Sequence, residues 1–277
     1  MEDKKITIII AAHKKYRMPE DPIYFPLHVG AEGKKDAEGH DLDLGYVKDN
    51  TGDQISLRNP NFCELTGLYW AWKNLDTDYL GLVHYRRYFS WKKKSQDPFE
   101  NILTGGEAAE LLEKYKVLVP RKRRYFIETL YSHYDHTHFK EHLDTTREII
   151  TKQCPEYLAC FDKVMKQRWG YMFNMMVMPH DLVGEYCTWL FDILFELERE
   201  VKEKGMEDYS PFQARLYGRV SEIIFNVWIL RMRETGVLKA EDIREVPYIY
   251  MEKVNWSSKI ASFLKAKFLH QKYHESF

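Results

Sequence analysis

The chain has 277 residues, 44% of them hydrophobic and 30% charged, the mixture of a globular protein with a sizeable core rather than a disordered one. Its 41 Lys and Arg against 42 Asp and Glu leave a formal net charge of -1, so no overall attraction to nucleic acid is expected and any anion binding must be local. Cys63, Cys154, Cys160 and Cys187 form no CxxC pair, which points to a reducing compartment and away from structural zinc.

In chain order, the apolar, β-branched run 6–12 predicts a buried strand that ends at His13. It is too short for a signal peptide, and no stretch reaches the ~18–20 apolar residues of a membrane span. A short strand is expected at 26–29, then a polar, Gly/Asp-rich excursion over 33–60, of a length that is usually functional in a compact domain. Asn61 and Glu64 have capping-box spacing ahead of Phe62, Leu65, Tyr69 and Trp72, which predicts one helix running to Asn74. The run 78–83 predicts a buried strand delivering His84-Tyr85-Arg86-Arg87-Tyr88 to its carboxyl end, where open α/β sheets bind ligands. A helix over 107–115 and a strand over 116–119 lead to the basic cluster Arg121–Arg124. Residues 127–168 read as helical and polar, 171–178 as strand-like around Asn174, and 181–204 as a helix. Ser210 and Pro211 fit the cap and first position of a further helix ending near Gly236.

Three blocks, Asn61-Phe-Cys-Glu-Leu-Thr-Gly-Leu-Tyr-Trp-Ala-Trp-Lys-Asn74, Gly81-Leu-Val-His-Tyr-Arg-Arg-Tyr-Phe89 and Arg215-Leu-Tyr-Gly-Arg-Val-Ser-Glu222 with Asn226-Val-Trp228, resemble hallmarks of a glycosyltransferase family. That family was long filed as a domain of unknown function and occurs in bacterial capsule, lipopolysaccharide and exopolysaccharide gene clusters. The resemblance implies an α/β, GT-A-like nucleotide-diphosphosugar transferase, with residues 1–250 as a single domain and 251–277 as an amphipathic tail. It further implies transfer of galactofuranose or galactose from a UDP-sugar to a lipid-linked oligosaccharide, in the cytoplasm at the inner face of the plasma membrane, without nucleic acid. Trp256, Ile260, Phe263, Leu264 and Phe268 recur at helical spacing among lysines, a pattern shared by membrane-surface helices and by packed terminal ones.

A departing UDP needs charge compensation, which an Asp-x-Asp metal site at a strand end commonly supplies. Here that place holds His84, Tyr85, Arg86 and Arg87, whereas Asp76-x-Asp78 precedes the strand and Asp41-x-Asp43 lies in a loop. No metal cofactor is therefore expected, and Arg86 and Arg87 are the candidate diphosphate ligands; the alternative is that one of them ties down a loop. His13 is a candidate nucleotide contact. Asp49, Asn50, Gly52 and Asp53 suit ribose or sugar hydroxyls, or merely a turn. Glu64 combines a cap with a donor contact. For an inverting reaction the candidate bases are Glu222, then Asp208 ahead of the helix. His138, Asn174 and Arg215 are candidate acceptor or sugar contacts. The remaining histidines of 132–142 read as a solvated helix face, with a metallohydrolase a distant alternative. A non-catalytic sugar- or phosphate-binding module is the other alternative.

Overall fold

The computed structural model describes residues 4–91, 94–206 and 209–252. These form two compact units, one comprising the chain through Arg121 with Phe173–Cys187 and Lys239–Glu252, the other Lys122–Met172 and Thr188–Leu238.

The first unit is built on one sheet. Its strands are β1 (Ile6–Ala12), β2 (Tyr24–His28), β3 (Val47–Lys48), β4 (Tyr79–His84), β5 (Arg87–Phe89) and β6 (Val117–Pro120). After the second unit's β7 (Arg123–Arg124) and β8 (Trp169–Gly170), the sheet resumes with β9 (Met176–Pro179), β10 (Ile243–Val246) and β11 (Tyr248–Tyr250). The order is β10-β6-β9-β4-β1-β2-β3, with β5 pairing β4 and β11. β1 is central because Ile8, Ile9 and Ile10 are wholly buried, each such side chain contributing about 1.5–3 kcal/mol. It lies parallel to both β2 and β4, whereas β9 runs antiparallel to β4 with Leu82 opposite Met176.

α1 (Asn59–Phe62), α2 (Leu65–Asn74) and α3 (Gly105–Leu112) also belong to this unit. α2 lies close against the sheet at Gly67, where a Cβ would come within 2.7 Å of Val29 Cγ1. The single helix expected over 61–74 is broken. Cys63 has φ 55 and ψ -132, which no helix accepts, so Asn61 lies inside α1 and Glu64 begins α2 without a side-chain cap bond.

The second unit is mainly helical: α4 (Leu130–Thr137), α5 (Glu141–Gln153), α6 (Leu158–Met165), the end of α7 (His180–Glu203) and α8 (Leu216–Glu234). α8 is its core, with Val220, Ile224, Val227 and Trp228 essentially buried. Asn226 joins that helix to the ribbon of β7 and β8, accepting from Tyr171 N at 2.7 Å and donating to Tyr171 O at 3.0 Å. Ser210 and Pro211 do not start α8. They sit in a preceding turn closed by Ala214 N donating to Ser210 O. The strand-like run 171–178 is strand only from Met176, because Phe173 and Asn174 have φ 74 and 52.

Candidate functional site

The chain runs from β1 outward through β2 to β3, then returns to lay β4 on the other side of β1. That reversal makes a topological switch point at the carboxyl ends of β1 and β4, the position at which α/β sheets receive ligands. His13 leaves β1 there and is exposed, while Tyr85 leaves β4. Tyr85 stacks on Tyr16 with ring centroids 3.8 Å apart, and His13 meets Tyr85 edge-on at 5.2 Å. The Tyr46 hydroxyl fixes this loop by accepting from Tyr16 N and donating to Tyr16 O, each at 3.0 Å. Burial, then the bond with Tyr85, keeps the Tyr16 phenol neutral well above the ordinary tyrosine range. The cluster offers flat ring surfaces.

Because β9 is antiparallel to β4, the residues just before β9 arrive at the carboxyl end of β4. His84 Nε2 donates to Phe173 O at 2.6 Å and lies 3.8 Å from Glu64 Oε1. Asn174 Nδ2 donates to the same Glu64 oxygen at 2.7 Å. Glu64 and Asn174 are nearly buried, so this carboxylate is held rather than solvated. Cys63, Phe173 and Asn174, three non-glycine residues with positive φ, surround it. Such conformations cost about 1–3 kcal/mol each and cluster where geometry matters for function. Glu64 is thus an oriented acceptor, not a capping residue.

Tyr85 and Arg86 form the two-residue turn of a hairpin in which His84 faces Arg87, and this separates the two arginines. Arg86 Nε pairs with Glu252 Oε2 at 3.0 Å, and its Cζ lies 5.1 Å from the Tyr85 ring. The Arg87 Cζ stands 4.5 Å from the Phe173 ring and 5.1 Å from that of Tyr250, which β11 places opposite it. Its Nε is buried with no hydrogen-bond partner among the described residues. A guanidinium held between rings with a donor unused is preorganised for an anion.

The loop after β3 departs from its expected role. Asp49 is fully buried and accepts from Gly30 N, Ala31 N, Ser56 Oγ and Thr66 Oγ1. Its lone pairs are spent on fastening loops, which leaves none for a ribose. Asn50 donates to Glu32 at 3.1 Å, and Asp53 accepts from the Tyr69 hydroxyl at 3.1 Å. Gly52 has φ 61, and a Cβ there would lie 2.0 Å from Asn74 Oδ1, so the turn itself requires glycine. Three of the four Asp-x-Asp carboxylates are likewise engaged: Asp78 accepts from Lys5 N at 2.7 Å ahead of β4, Asp41 pairs with Lys35 at 2.6 Å, and Asp43 accepts from Gly45 N at 2.8 Å. Among the described residues no group of three or more His, Cys, Asp or Glu side chains is disposed to hold a metal ion.

In the second unit the histidine run is a set of buried and half-buried bonds, not a solvated face. Glu128 accepts from His133 Nδ1 at 2.8 Å and His136 Nδ1 at 2.6 Å. His142, wholly buried, bridges the Tyr134 and Tyr209 hydroxyls at 2.9 and 2.8 Å. Gln213 donates to Thr137 O, which aims its oxygen at His138 Nδ1, 2.9 Å away. The proton therefore sits on Nδ1 and Nε2 is the basic nitrogen. Burial, then the Arg219 charge, holds His138 well below the usual imidazole range and thus neutral. Glu222 lies in the same region, where its charge adds to the burial that raises the Tyr134 phenol. Arg215 is exposed at the cap of α8, ahead of its first turn. Asp208 and the tail from residue 253 lie outside the described residues.

Residues 7–233 match the family described as Domain of unknown function (DUF4422). The chain belongs to that family. This DUF4422 chain is also similar to a solved apo structure described as WbbM, a bifunctional glycosyltransferase, with a TM-score of 0.80 and 28% identity over 90% of this chain and 46% of that one. It therefore spans about half of that protein's length, and shares with it a central sheet flanked by helices. No curated protein matches. Tyr16, Tyr46, Phe173 and Tyr250 were not singled out by sequence. The aromatic density after β1 was a signal for the first; nothing local marks Tyr250, which reaches Arg87 only through β11.

Proposed function

We propose that this chain is a glycosyltransferase that moves a hexose, galactofuranose or galactose, from a UDP-sugar to a saccharide acceptor in surface polysaccharide synthesis. The observation that carries this reading is Arg87, whose guanidinium lies between Phe173 and Tyr250 with Nε buried and unbonded, on the hairpin that carries Tyr85 of the aromatic cluster at the sheet's switch point. The likeness to WbbM supports the reaction class. In this reading the uracil lies against the His13, Tyr16 and Tyr85 rings. Arg87, with Arg86, neutralises the diphosphate as the glycosidic bond breaks. His84 and Glu64, oriented by Asn174, contact the donor sugar. Asn50, Gly52 and Asp53 shape the neighbouring loop, and Asp49 acts only by holding it.

The acceptor hydroxyl attacks the anomeric carbon, UDP leaves, and the hydroxyl proton passes to a carboxylate, for which Glu222 is the first candidate and Asp208 the second. His138 and Arg215 belong to the acceptor side, and the acceptor is an oligosaccharide on a lipid diphosphate, met at the cytoplasmic face of the membrane. Because the guanidiniums take the place of an Asp-x-Asp metal, turnover is expected to persist in EDTA. The test is calorimetric titration with UDP followed by a donor screen on synthetic lipid-linked acceptors. UDP binding with turnover supports the reading, binding without turnover assigns a sugar-nucleotide-binding module, and absence of UDP binding overturns it.

A further inference from the structure

The ribbon of β7 and β8 pairs Arg123 with Gly170 and Arg124 with Trp169. Beyond it, residues 125–128 make a turn whose tip is Phe126 and Ile127, 76% and 65% exposed. Among the described residues this is the only adjacent pair of large apolar side chains so exposed. Phe126 has φ 53, and Ile127 N donates to Tyr125 O at 2.6 Å. That is the positive-φ form of the γ-turn, rare and strained, which glycine would adopt at less cost.

The tip is nevertheless held firmly. Tyr125 N donates to Arg168 O at 2.8 Å, Arg168 Nη1 donates to Phe126 O at 3.3 Å, and the next residue, Glu128, is anchored by His133 and His136. The fold thus maintains a strained aromatic residue that gains no packing in return.

Its surroundings are basic although the chain as a whole is not. Arg124, Lys166 and Arg168 are exposed, and Lys122 and Arg123 lie over the rings of Trp169 and Tyr125 at 4.3 and 5.0 Å. The nearby carboxylates are engaged, Glu128 by its two imidazoles and Asp162 by Arg147.

We propose that the Phe126–Ile127 tip inserts into the headgroup and upper acyl region of an anionic bilayer, with Arg124, Lys166 and Arg168 against lipid phosphates. Two apolar side chains are far too few for a specific protein interface, which buries about 800 Å² per partner. A fluid bilayer needs no matching pocket, and an apolar tip ringed by cations and flanked by Trp and Tyr has the chemistry of its surface. The inference rests on the second unit alone and is independent of the sugar chemistry.

The test is co-sedimentation of the full chain with phosphatidylcholine vesicles, with and without phosphatidylglycerol. Binding is expected only with the anionic lipid, and weaker in salt. Phe126→Gly, which suits the φ, should keep or raise the thermal midpoint yet weaken binding about tenfold or more. Arg124→Gln should weaken it roughly fivefold, and Leu57→Ser, at another exposed apolar site, should leave it unchanged. Wild-type binding by Phe126→Gly, equal binding to neutral vesicles, or no binding at low salt would each overturn the proposal. So would a change of oligomeric state in Phe126→Gly with vesicle binding intact, which would assign the tip to self-association.

Discussion

Arg86 and Arg87 are neighbours in sequence but stand in different surroundings. The Nε of each is buried without a hydrogen bond among the described residues, but Arg86 already shares its charge with Glu252, whereas the Arg87 guanidinium lies between the Phe173 and Tyr250 rings. Arg87→Ala is expected to weaken UDP binding by about tenfold or more, in line with the 1.5–3 kcal/mol of a charge-assisted contact, and Arg86→Ala by less; calorimetric titration of both measures the difference. Arg87→Lys should not restore affinity, since an ammonium neither stacks nor forks. Equal losses at the two positions would mean that the diphosphate spans both. At Glu222 a different signature is expected. Glu222→Gln should lower turnover by about 10²–10⁴ while leaving UDP affinity intact, and a parallel loss of rate, affinity and thermal midpoint would make that carboxylate structural.

At the scale of elements, Asp49 joins three of them, taking bonds from the turn after β2, from Ser56 and from α2 through Thr66. Asp49→Ala leaves those donors without their acceptor, so urea unfolding should show a loss of roughly 3 kcal/mol or more; an unchanged midpoint would show that the loops close without it. The same residue illustrates what a sequence reveals. Its type and loop position suggested a hydroxyl contact, but the use of its lone pairs depends on partners up to 19 positions away. The strands were legible because apolar runs such as 6–12 can only be buried, and so was the delivery of His84 to Arg87 to a sheet edge. The break at Cys63 was not, since helical spacing persists across it while the backbone does not. Nor was the Glu64, His84 and Asn174 group, which depends on β9 lying antiparallel beside β4. The histidine run was misjudged because composition counts polar residues and burial depends on which partners satisfy them.

For the molecule as a whole, buried histidines set a pH dependence. Burial lowers the values of His28, His133 and His138 in the fold, so the unfolded chain takes up protons near pH 6.5 that the folded chain refuses. Their stabilisation is complete above about 6.5 and is lost as pH falls below it. Glu128 adds a second, more acidic window. Burial raises it, but the bonds from His133 and His136 outweigh this and hold it at about 2, so its contribution fades from about pH 4.5 downward. Thermal scans from about pH 7.5 to about pH 5 should show a falling midpoint, about 2–4 °C for each 1 kcal/mol lost, and a shallower fall in His138→Gln. A flat profile would mean that these imidazoles titrate freely. The interleaving of the sheet also has a consequence for synthesis. β4 emerges from the ribosome nearly a hundred residues before β9, its neighbour, a wait of roughly 5–20 s at ordinary elongation rates. Throughout that interval a strand as apolar as Leu80 to Val83 has one edge unpaired, so the nascent chain is a natural client for a chaperone that shields strand edges.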